Sequence, residues 1–197
     1  MNQHYERMLY QTLSQLADIP SEEWEGFLNI FSEIHLKKNE HFIKVGEKPK
    51  RIGFILSGVV RFYYITEEGT EFNKSFCAEN DFVASYSGLL QDKESRYSIQ
   101  ALEDTTLLVA NYEDYKQLLE HHICWNIVSR RLAETLFIKK EKRESEFLLD
   151  DAETRYLQFL KEYPSLEKRI KNYHIASYLG ITPVAMSRIR AKLDLTD

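Results

Sequence analysis

The sequence predicts an α+β chain in which a β-rich N-terminal domain is followed by a long helix and a C-terminal helix-turn-helix. Three observations support this prediction. Short segments rich in β-branched and aromatic residues recur about every 8–12 residues between residues 51 and 112, with turn residues between them. Pro and Gly are absent from Asn111 to Tyr163, which permits long helices. Residues 172–193 have the spacing of two short helices joined at Gly180.

The composition is that of a folded protein. Of the 197 residues, 43% are hydrophobic and 13% aromatic, which suffices for one large domain or two small ones. No run of about 18 apolar residues occurs, and the N-terminal residues lack the apolar segment of a secretory signal. Cys77 and Cys124 are too few for a disulfide framework or a four-thiolate metal site. We therefore expect a cytoplasmic protein with reduced thiols and no membrane partner.

Charge is distributed unevenly along the chain. The formal net charge is −5, and residues 1–150 carry 18 Lys and Arg against 25 Asp and Glu. Residues 168–192 carry six Lys and Arg and no acid. An acidic body with a basic end is typical of a protein whose end meets a polyanion, although a solvated basic face would give the same distribution.

The first region extends to residue 112. The segment PSEEWEGF predicts a short helix in which Ser21 caps the start and Trp24, Phe27 and Leu28 share one face. Short strands follow, and their number and spacing indicate a sandwich or barrel rather than a parallel sheet. The predicted strands are RIGFILSG, VVRFYYIT, EFNKSFCA, SIQALED and TLLVANY.

The second region, residues 113–149, is predicted to be one long helix. Its apolar positions recur at intervals of three and four residues, at Ile123, Ile127 or Val128, Leu132 and Leu136. A helix of about 25 residues would extend nearly 40 Å, which is long for a small domain. Either this helix lies across the β-rich region, or it pairs with a second copy of itself.

The third region, residues 150–197, contains the helix-turn-helix. Gly180 suits the left-handed residue that follows its first helix, because most side chains resist that conformation. Thr182 is predicted to cap the second helix. Pro183 then occupies the first helical position, where its missing N–H costs nothing.

The second helix of this motif is predicted to have two different faces, since successive residues are about 100° apart. The face expected to be buried consists of Met186, Ile189 and Leu193. The opposite face consists of Val184, Ser187, Arg188 and Ala191, with Arg190 and Lys192 on the flanks. The exposed face is therefore narrow and made of small residues around one Arg, as a helix that enters the major groove requires.

The side chains of this helix suggest two kinds of DNA contact, one to a base and the others to phosphates. Arg188 would bridge O6 and N7 of a guanine. Arg190, Lys192 and the free N–H groups at the Thr182 end would contact phosphates. The alternative is an ordinary helical hairpin on a protein surface, which the turn residues make less favoured.

Four segments of the chain carry a family resemblance: FILSGVVRFYY, ENDFV, SIQALEDTTLL and IASYLGITPVAMSRIRAKL. Together they resemble a Crp/Fnr-type bacterial transcription regulator over about residues 20–193. The resemblance implies a cyclic-nucleotide-binding-like β-roll, a double-stranded β-helix, in residues 1–112. It implies a dimerisation helix in residues 113–149 and a helix-turn-helix DNA-binding domain in residues 150–197. The implied partners are double-stranded DNA, a second copy of the chain and RNA polymerase.

The resemblance also marks where a ligand would bind. Cyclic-AMP binders of the family carry a Glu that holds the ribose and an Arg that neutralises the phosphate. Here Ser85 stands at the Glu position, and Ser95-Arg96 displaces the Arg by one residue, which in a strand turns it to the other face. Cyclic-AMP binding is therefore not expected, and either a modified pocket for an unidentified small-molecule effector or no functional pocket is present. The residues of this candidate effector pocket are Ser85, Tyr86, Ser87, Arg96 and Tyr97.

In the recognition helix the resemblance implies a role for Arg188, which falls where the family keeps a base-reading Arg. Val184 replaces a Glu that many relatives carry to accept a hydrogen bond from cytosine. Val184 would touch a thymine methyl group instead, so the DNA site should differ from the familiar one.

Two other classes of function stay open on the sequence alone. For an enzyme the chain lacks H-E-x-x-H, P-loop and G-x-S-x-G motifs, and no catalytic residue, metal site or cofactor is expected. A ligand-sensing β-roll that regulates a protein partner without binding DNA is the second class, and in it the basic end would be a docking surface. Salt separates the two kinds of binding, since DNA binding weakens steeply as salt rises.

Overall fold

A computed structural model gives the fold, and the structure describes residues 2–193. The contacts among these residues form two compact units. The first unit consists of residues 2–62 and 76–136, and the second consists of residues 63–75 and 137–193. The second unit thus combines the outer part of one β-hairpin with the C-terminal helices.

The strands of the described residues form two four-stranded sheets, with the orders β1-β8-β3-β6 and β2-β7-β4-β5. The pairs β1–β8, β3–β8 and β2–β7 are antiparallel. This architecture confirms the predicted α+β class and β-roll, and each of the five predicted strands is present. The strands are β1 Ser32–Leu36, β2 His41–Ile43, β3 Arg51–Ser57, β4 Val60–Ile65, β5 Glu71–Cys77, β6 Phe82–Val83, β7 Ser98–Ala101 and β8 Thr105–Asn111.

Apolar side chains from both sheets fill the space between them. Strand β3 contributes Ile55, strand β7 contributes Ile99 and strand β8 contributes Leu107, each with 0% exposure. Burial of one such side chain stabilises the fold by about 1.5–3 kcal/mol. This cluster is the core of the β-roll.

Helices cover the outside of the first sheet. They are α1 Gln3–Ser14, α2 Ser21–Asn29, α3 Tyr86–Gln91 and α4 Tyr112–His121. Trp24 and Phe27 of α2 are buried as predicted, and the Phe27 ring stacks on Trp125 with centroids 4.4 Å apart. The predicted cap is wrong by one residue, since Pro20 precedes the first helical residue, Ser21, and has no side chain that could cap the helix.

The predicted single helix over residues 113–149 is interrupted at His122. Helix α4 ends at His121, and α5 extends from Ile123 to Leu149. His122 has φ −143° and ψ 144°, and its Nδ1 accepts a hydrogen bond from the Cys124 N–H at 3.2 Å. The imidazole therefore caps α5. The 27 residues of α5 give it a length of about 40 Å.

The C-terminal helices of the second unit pack around their own apolar core. They are α6 Ala152–Glu162, a 3-10 turn over Leu166–Lys168, α7 Asn172–Leu179 and α8 Pro183–Lys192. The buried side chains of this core include Tyr156, Phe159, Leu166, Ile175, Leu179 and Met186. The predicted domain boundaries after residues 112 and 149 stay predictions, because the contacts divide the chain within α5 and place one hairpin with the C-terminal helices.

Among residues 2–193, no helix combines the length and the apolar character needed to cross a bilayer.

Candidate nucleic-acid interface and effector pocket

The turn between α7 and α8 has the geometry that the sequence predicts. Gly180 has φ +70°, in the left-handed region, and a Cβ atom there would lie 2.8 Å from the Phe147 ring. The N–H of Ile181 donates to the Ala176 carbonyl at 3.0 Å, and the Gly180 N–H donates to the Ser177 carbonyl at 3.3 Å. These two bonds close a Schellman motif, so both the conformation and the available space require Gly at this position.

Helix α8 begins as the sequence predicts. Thr182 Oγ1 accepts a hydrogen bond from the Ala185 N–H at 3.1 Å, and Pro183 occupies the first helical position. Thr182 itself is exposed. Pro183 has no N–H, and the Met186 N–H donates to the Thr182 carbonyl at 3.0 Å. The N–H group that the first turn leaves for a ligand is therefore that of Val184, at the positive end of the helix dipole.

The outward face of α8 carries small side chains around one Arg. Val184 is 60% exposed, and Ser187, Arg188 and Ala191 are also exposed. Met186, on the opposite face, is only 1% exposed. The helix thus presents a narrow ridge from which a single guanidinium projects.

The structure corrects the prediction that Arg190 contacts phosphate. Its side chain is only 10% exposed, and its Nη1 lies 2.5 Å from Glu167 Oε1 and 3.3 Å from Asn172 Oδ1. Tyr156 donates its hydroxyl hydrogen to the same carboxylate. Arg190 follows Arg188 by two positions, or about 200° around the helix, so only one of the two can face outward.

The buried cluster around Arg190 also controls the ionisation of Tyr156. Burial and the hydrogen bond to Glu167 raise the pKa of the Tyr156 phenol to about 12. The phenol therefore stays neutral at physiological pH. Glu167, shared between a phenol and a guanidinium, ties α8 to the turn before α7 and to α6.

Lys192 lies on the flank of α8, where the sequence predicts it. Its side chain is 68% exposed and forms an ion pair with Glu153, with Nζ and Oε2 2.5 Å apart. The hydrogen bond with Glu153 raises the pKa of the ammonium group. Lys192 thus stays charged and accessible, but a phosphate would have to compete with Glu153 for it.

Two Arg side chains support the turn from behind. Arg143 of α5 donates to the Tyr178 carbonyl at 2.7 Å, and Arg155 of α6 donates to the Leu179 carbonyl at 3.2 Å. Both guanidinium groups lie over the Phe147 ring, at 4.8 and 4.9 Å from its centroid. They satisfy carbonyl groups that the end of α7 leaves without helical partners.

Sequence reasoning missed two exposed side chains at the start of α7. Lys171 and Tyr173 are both exposed, and Lys171 Nζ lies 5.8 Å from the centroid of the Tyr173 ring. Lys171 itself precedes the first turn of α7 and does not cap it through its side chain. The signal was available, because Lys171 belongs to the acid-free segment of residues 168–192.

The candidate effector pocket lies in the first unit, and its centre is occupied by protein hydrogen bonds. Ser85 is 1% exposed and Ser95 is 2% exposed, and their hydroxyl oxygens are 2.8 Å apart. Ser95 Oγ also lies 2.7 Å from the Tyr97 carbonyl. The Tyr97 hydroxyl donates to the Ala84 carbonyl at 3.3 Å. Ser85, which stands where the resemblance implies a Glu in cyclic-AMP binders, is thus hydrogen-bonded to Ser95.

The other candidate pocket residues do not converge with Ser85. Tyr86 is half-buried, whereas Ser87 and Arg96 are exposed. Ser95 and Tyr97, on either side of Arg96, are buried, so the guanidinium turns away from the interior. The structure therefore brings Ser85 and Tyr97 together through Ser95 and leaves Arg96 apart from them.

A small cavity borders Ser85. Its volume is about 170 Å³, below the roughly 300–1,000 Å³ of ordinary small-molecule sites. Its walls come mostly from the loop between β2 and β3. The lining residues are Phe42, Ile43, Glu47, Lys48, Pro49, Lys50, Arg51 and Ser85.

Comparison with protein families identifies the β-roll. Residues 33–122 match the family of the cyclic nucleotide-binding domain. Comparison with curated protein sequences gives no match.

Solved structures match most of the chain. A CooA mutant from Carboxydothermus hydrogenoformans is 21% identical with a TM-score of 0.72, and the match covers 94% of this chain and 84% of that one. FixK2 from Bradyrhizobium japonicum is 21% identical with a TM-score of 0.71, over 84% of this chain and 85% of that one. A Eubacterium rectale protein assigned to the Crp/Fnr family of transcriptional regulators is 19% identical with a TM-score of 0.70, over 90% and 85%. Residues 33–122 are thus similar to a cyclic nucleotide-binding domain, and the chain shares its fold with these solved structures, one of which is assigned to the Crp/Fnr family.

Proposed function

We propose that this protein is a homodimeric, sequence-specific DNA-binding transcription regulator of the Crp/Fnr type. The observation that carries the proposal is the outward face of α8, where small side chains surround the exposed Arg188. A ridge of this width suits the major groove, which is about 12 Å wide. As a regulator of this type it would act on transcription by RNA polymerase.

Arg188 is the proposed base-reading residue. Its guanidinium presents two parallel donors, which match O6 and N7 of guanine. Val184, one turn earlier on the same face, offers an apolar surface for a thymine methyl group. Ser187 is small enough to let the backbone approach the base edges, although its hydroxyl donates to the Pro183 carbonyl at 3.1 Å.

Phosphate contacts are proposed at both ends of the motif. The Val184 N–H, which follows the Thr182 cap, and the ammonium group of Lys192 lie at the two ends of α8. The exposed pair Lys171 and Tyr173 adds a cation and a phenolic donor at the start of α7. Arg190 has no part in this surface, because Glu167 already neutralises it in the core.

The homodimer is proposed to form along α5. Ile123 is 66% exposed, Phe137 is 65% exposed and Leu148 is 77% exposed. Successive helical residues are about 100° apart, so these three side chains lie within about 40° of one another on one face. Arg130, Glu134 and Glu141 share this face, so the three apolar side chains are proposed as separate anchors for pairing with a second copy. Two α8 helices would then enter successive major grooves about 34 Å apart.

The β-roll is proposed not to bind cyclic AMP. Ser85 stands where the resemblance implies the ribose-binding carboxylate and is hydrogen-bonded to Ser95, and Arg96 is exposed. A buried phosphate without a counter-charge would be unfavourable by several kcal/mol. Isothermal titration calorimetry with cyclic AMP should show no heat of binding, whereas micromolar binding would overturn this part of the proposal. Any effector of this domain is a different small molecule.

Salt titration tests the proposal against docking to a protein partner. Binding of the purified protein to a labelled pool of random duplexes is measured between about 50 and 200 mM salt, and a protein with six to ten phosphate contacts should lose about 10³-fold in affinity or more. Arg188→Ala should lower the preference for a selected site over random DNA by about 1–3 kcal/mol. Lys161→Ala removes one exposed positive charge from α6 and is the matched control. Absent or salt-insensitive binding would refute the proposed function.

A further inference from the structure

Asn73 lies on strand β5, in the part of the β4–β5 hairpin that belongs to the second unit. Strand β5 is at the edge of its sheet, so its outer backbone groups need partners other than a strand. Asn73 is nevertheless only 4% exposed. A buried amide at a sheet edge must be matched by hydrogen bonds, and here α7 supplies them.

Four contacts join this segment of β5 to α7. The Asn73 N–H donates to Ser177 Oγ at 2.9 Å, and Ser177 Oγ lies 3.2 Å from the Glu71 carbonyl oxygen. Asn73 Nδ2 donates to the His174 carbonyl at 2.9 Å and lies 3.3 Å from His174 Nδ1. Since His174 is only 6% exposed, little water competes for these bonds.

The contacts suit an amide and no other side chain of the same size. The NH₂ group of Asn73 has two hydrogens, one donated to the His174 carbonyl and one on the side of His174 Nδ1, which accepts it when that nitrogen carries no proton. A carboxylate at position 73 would place negative charge against the carbonyl oxygen. Asn and Asp have nearly the same shape, so an exchange between them tests the hydrogen bonds with little change in packing.

We infer that Asn73 is a positioning residue that fixes α7, and with it the recognition helix α8, to the outer part of the β4–β5 hairpin. This inference rests on the proposed function and deepens it. Helices α7 and α8 share the Gly180 turn and a common core of Ile175, Leu179 and Met186, so they move as one body. The Asn73 contacts limit the motion of that body with respect to the outer part of the β4–β5 hairpin, which belongs to the same unit.

In a dimer, this limit sets the DNA spacing that the protein accepts. Each subunit contacts its half-site through the outward face of α8. None of the Asn73 contacts involves that face. The separation of the two helices depends on how firmly each α7–α8 body is held. Loss of the Asn73 contacts should therefore relax the choice of spacing and leave the base preference within each half-site unchanged.

The experiment measures affinity for duplexes that carry the selected half-sites at their natural spacing or lengthened in steps up to about five base pairs, half a helical turn. Full-length wild type, Asn73→Asp, Asn73→Ala and Ser177→Ala are compared, and Thr70→Ala in the same hairpin is the control. Wild type and Thr70→Ala should discriminate against the wrong spacing by about tenfold or more, and the other variants by about threefold or less. Ser177→Ala changes the structure least of these variants, because it removes one hydrogen-bond partner and keeps Asn73 in place. It still tests the inference if the Asn73 variants fold poorly.

Two results would overturn the inference. In the first, the Asn73 variants keep the wild-type spacing discrimination. In the second, they lose base preference within a half-site to the same extent as spacing preference, which would indicate general unfolding. Hydrogen exchange of the free protein separates failure of the inference from failure of the proposed function. If wild type binds no duplex, the proposed function is refuted, and unchanged protection of α7 amides in Asn73→Ala then overturns the inference as well.

Discussion

Replacement of Glu167 by Gln is expected to destabilise the second unit more than any change on its surface. The carboxylate lies 2.5 Å from the Arg190 guanidinium and also accepts the Tyr156 hydroxyl hydrogen. The side chain of Arg190 is 10% exposed and that of Glu167 is 20% exposed. Gln keeps the shape and one acceptor but removes the charge, so a buried cation loses its counter-ion.

The size of the stability loss in Glu167→Gln follows from these contacts. Removal of one partner of a fully buried ion pair costs about 3–5 kcal/mol. Partial exposure of Glu167, and the second acceptor that Asn172 offers at 3.3 Å, reduce this cost. We expect a loss of about 2–3 kcal/mol in the free energy of unfolding, or a fall in the midpoint temperature of about 10 °C for a unit of this size.

The assay can distinguish the two units. Both Trp residues, Trp24 and Trp125, lie in the first unit, so Trp fluorescence reports on that unit alone. Circular dichroism and hydrogen exchange of α8 amides report on the second. Glu167→Gln should lower the stability of α8 and leave the fluorescence transition in place. The double variant Glu167→Leu/Arg190→Leu should recover most of the loss, since an apolar pair replaces the buried ions. A Glu167→Gln effect below about 0.5 kcal/mol would show that solvent screens this pair and would refute the reasoning.

Three smaller perturbations have definite expected outcomes. The pKa of Tyr156 is about 12 in the folded protein against an ordinary tyrosine value of 10.0, so its contribution to stability is full below pH 10 and is lost towards pH 12; urea unfolding against pH should show a smaller alkaline loss in Tyr156→Phe. Gly180→Ala should lower the thermal midpoint of the second unit, because φ +70° costs a side chain about 1–2 kcal/mol and its Cβ would meet Phe147. Glu153→Ala should free Lys192 and tighten binding to duplexes of any sequence, as fluorescence anisotropy would measure.

Each of these expectations can fail on its own. If the free energy of unfolding falls equally with rising pH in wild type and in Tyr156→Phe, the Tyr156 phenol does not contribute to the pH dependence of stability. An unchanged midpoint for Gly180→Ala would mean that the turn tolerates another conformation. Unaltered affinity and salt dependence in Glu153→Ala would mean that Lys192 does not contact DNA.

The helix-turn-helix could be predicted in detail because its signals are local. Gly180, Thr182 and Pro183 each adopt the conformation that their own chemistry favours, and none depends on a distant partner. The five predicted strands were found for the same reason, since turn residues bound them on both sides. The short strands β1, β2 and β6 have no comparable local signal, because their pairing depends on strands that lie far away in the chain.

Features that depend on tertiary partners were not predicted. Arg190 was expected on the flank of α8 from the helical spacing of 100° per residue, and its burial depends on Glu167, which lies 23 positions earlier in the chain. The interruption at His122 has neither Pro nor Gly, and is held by the hydrogen bond from the Cys124 N–H. The role of Asn73 was invisible for the same reason, since His174 and Ser177 are about a hundred residues away.

The most direct test of the central claim is selection of bound sequences from a random duplex pool with wild type and with Arg188→Ala. We expect wild type to enrich an inverted repeat whose halves are about 34 Å apart, and each half to contain a guanine whose enrichment disappears with Arg188→Ala. No enriched sequence with wild type, or the same enriched sequence with both proteins, would contradict the assignment of the exposed face of α8 as the DNA-reading surface.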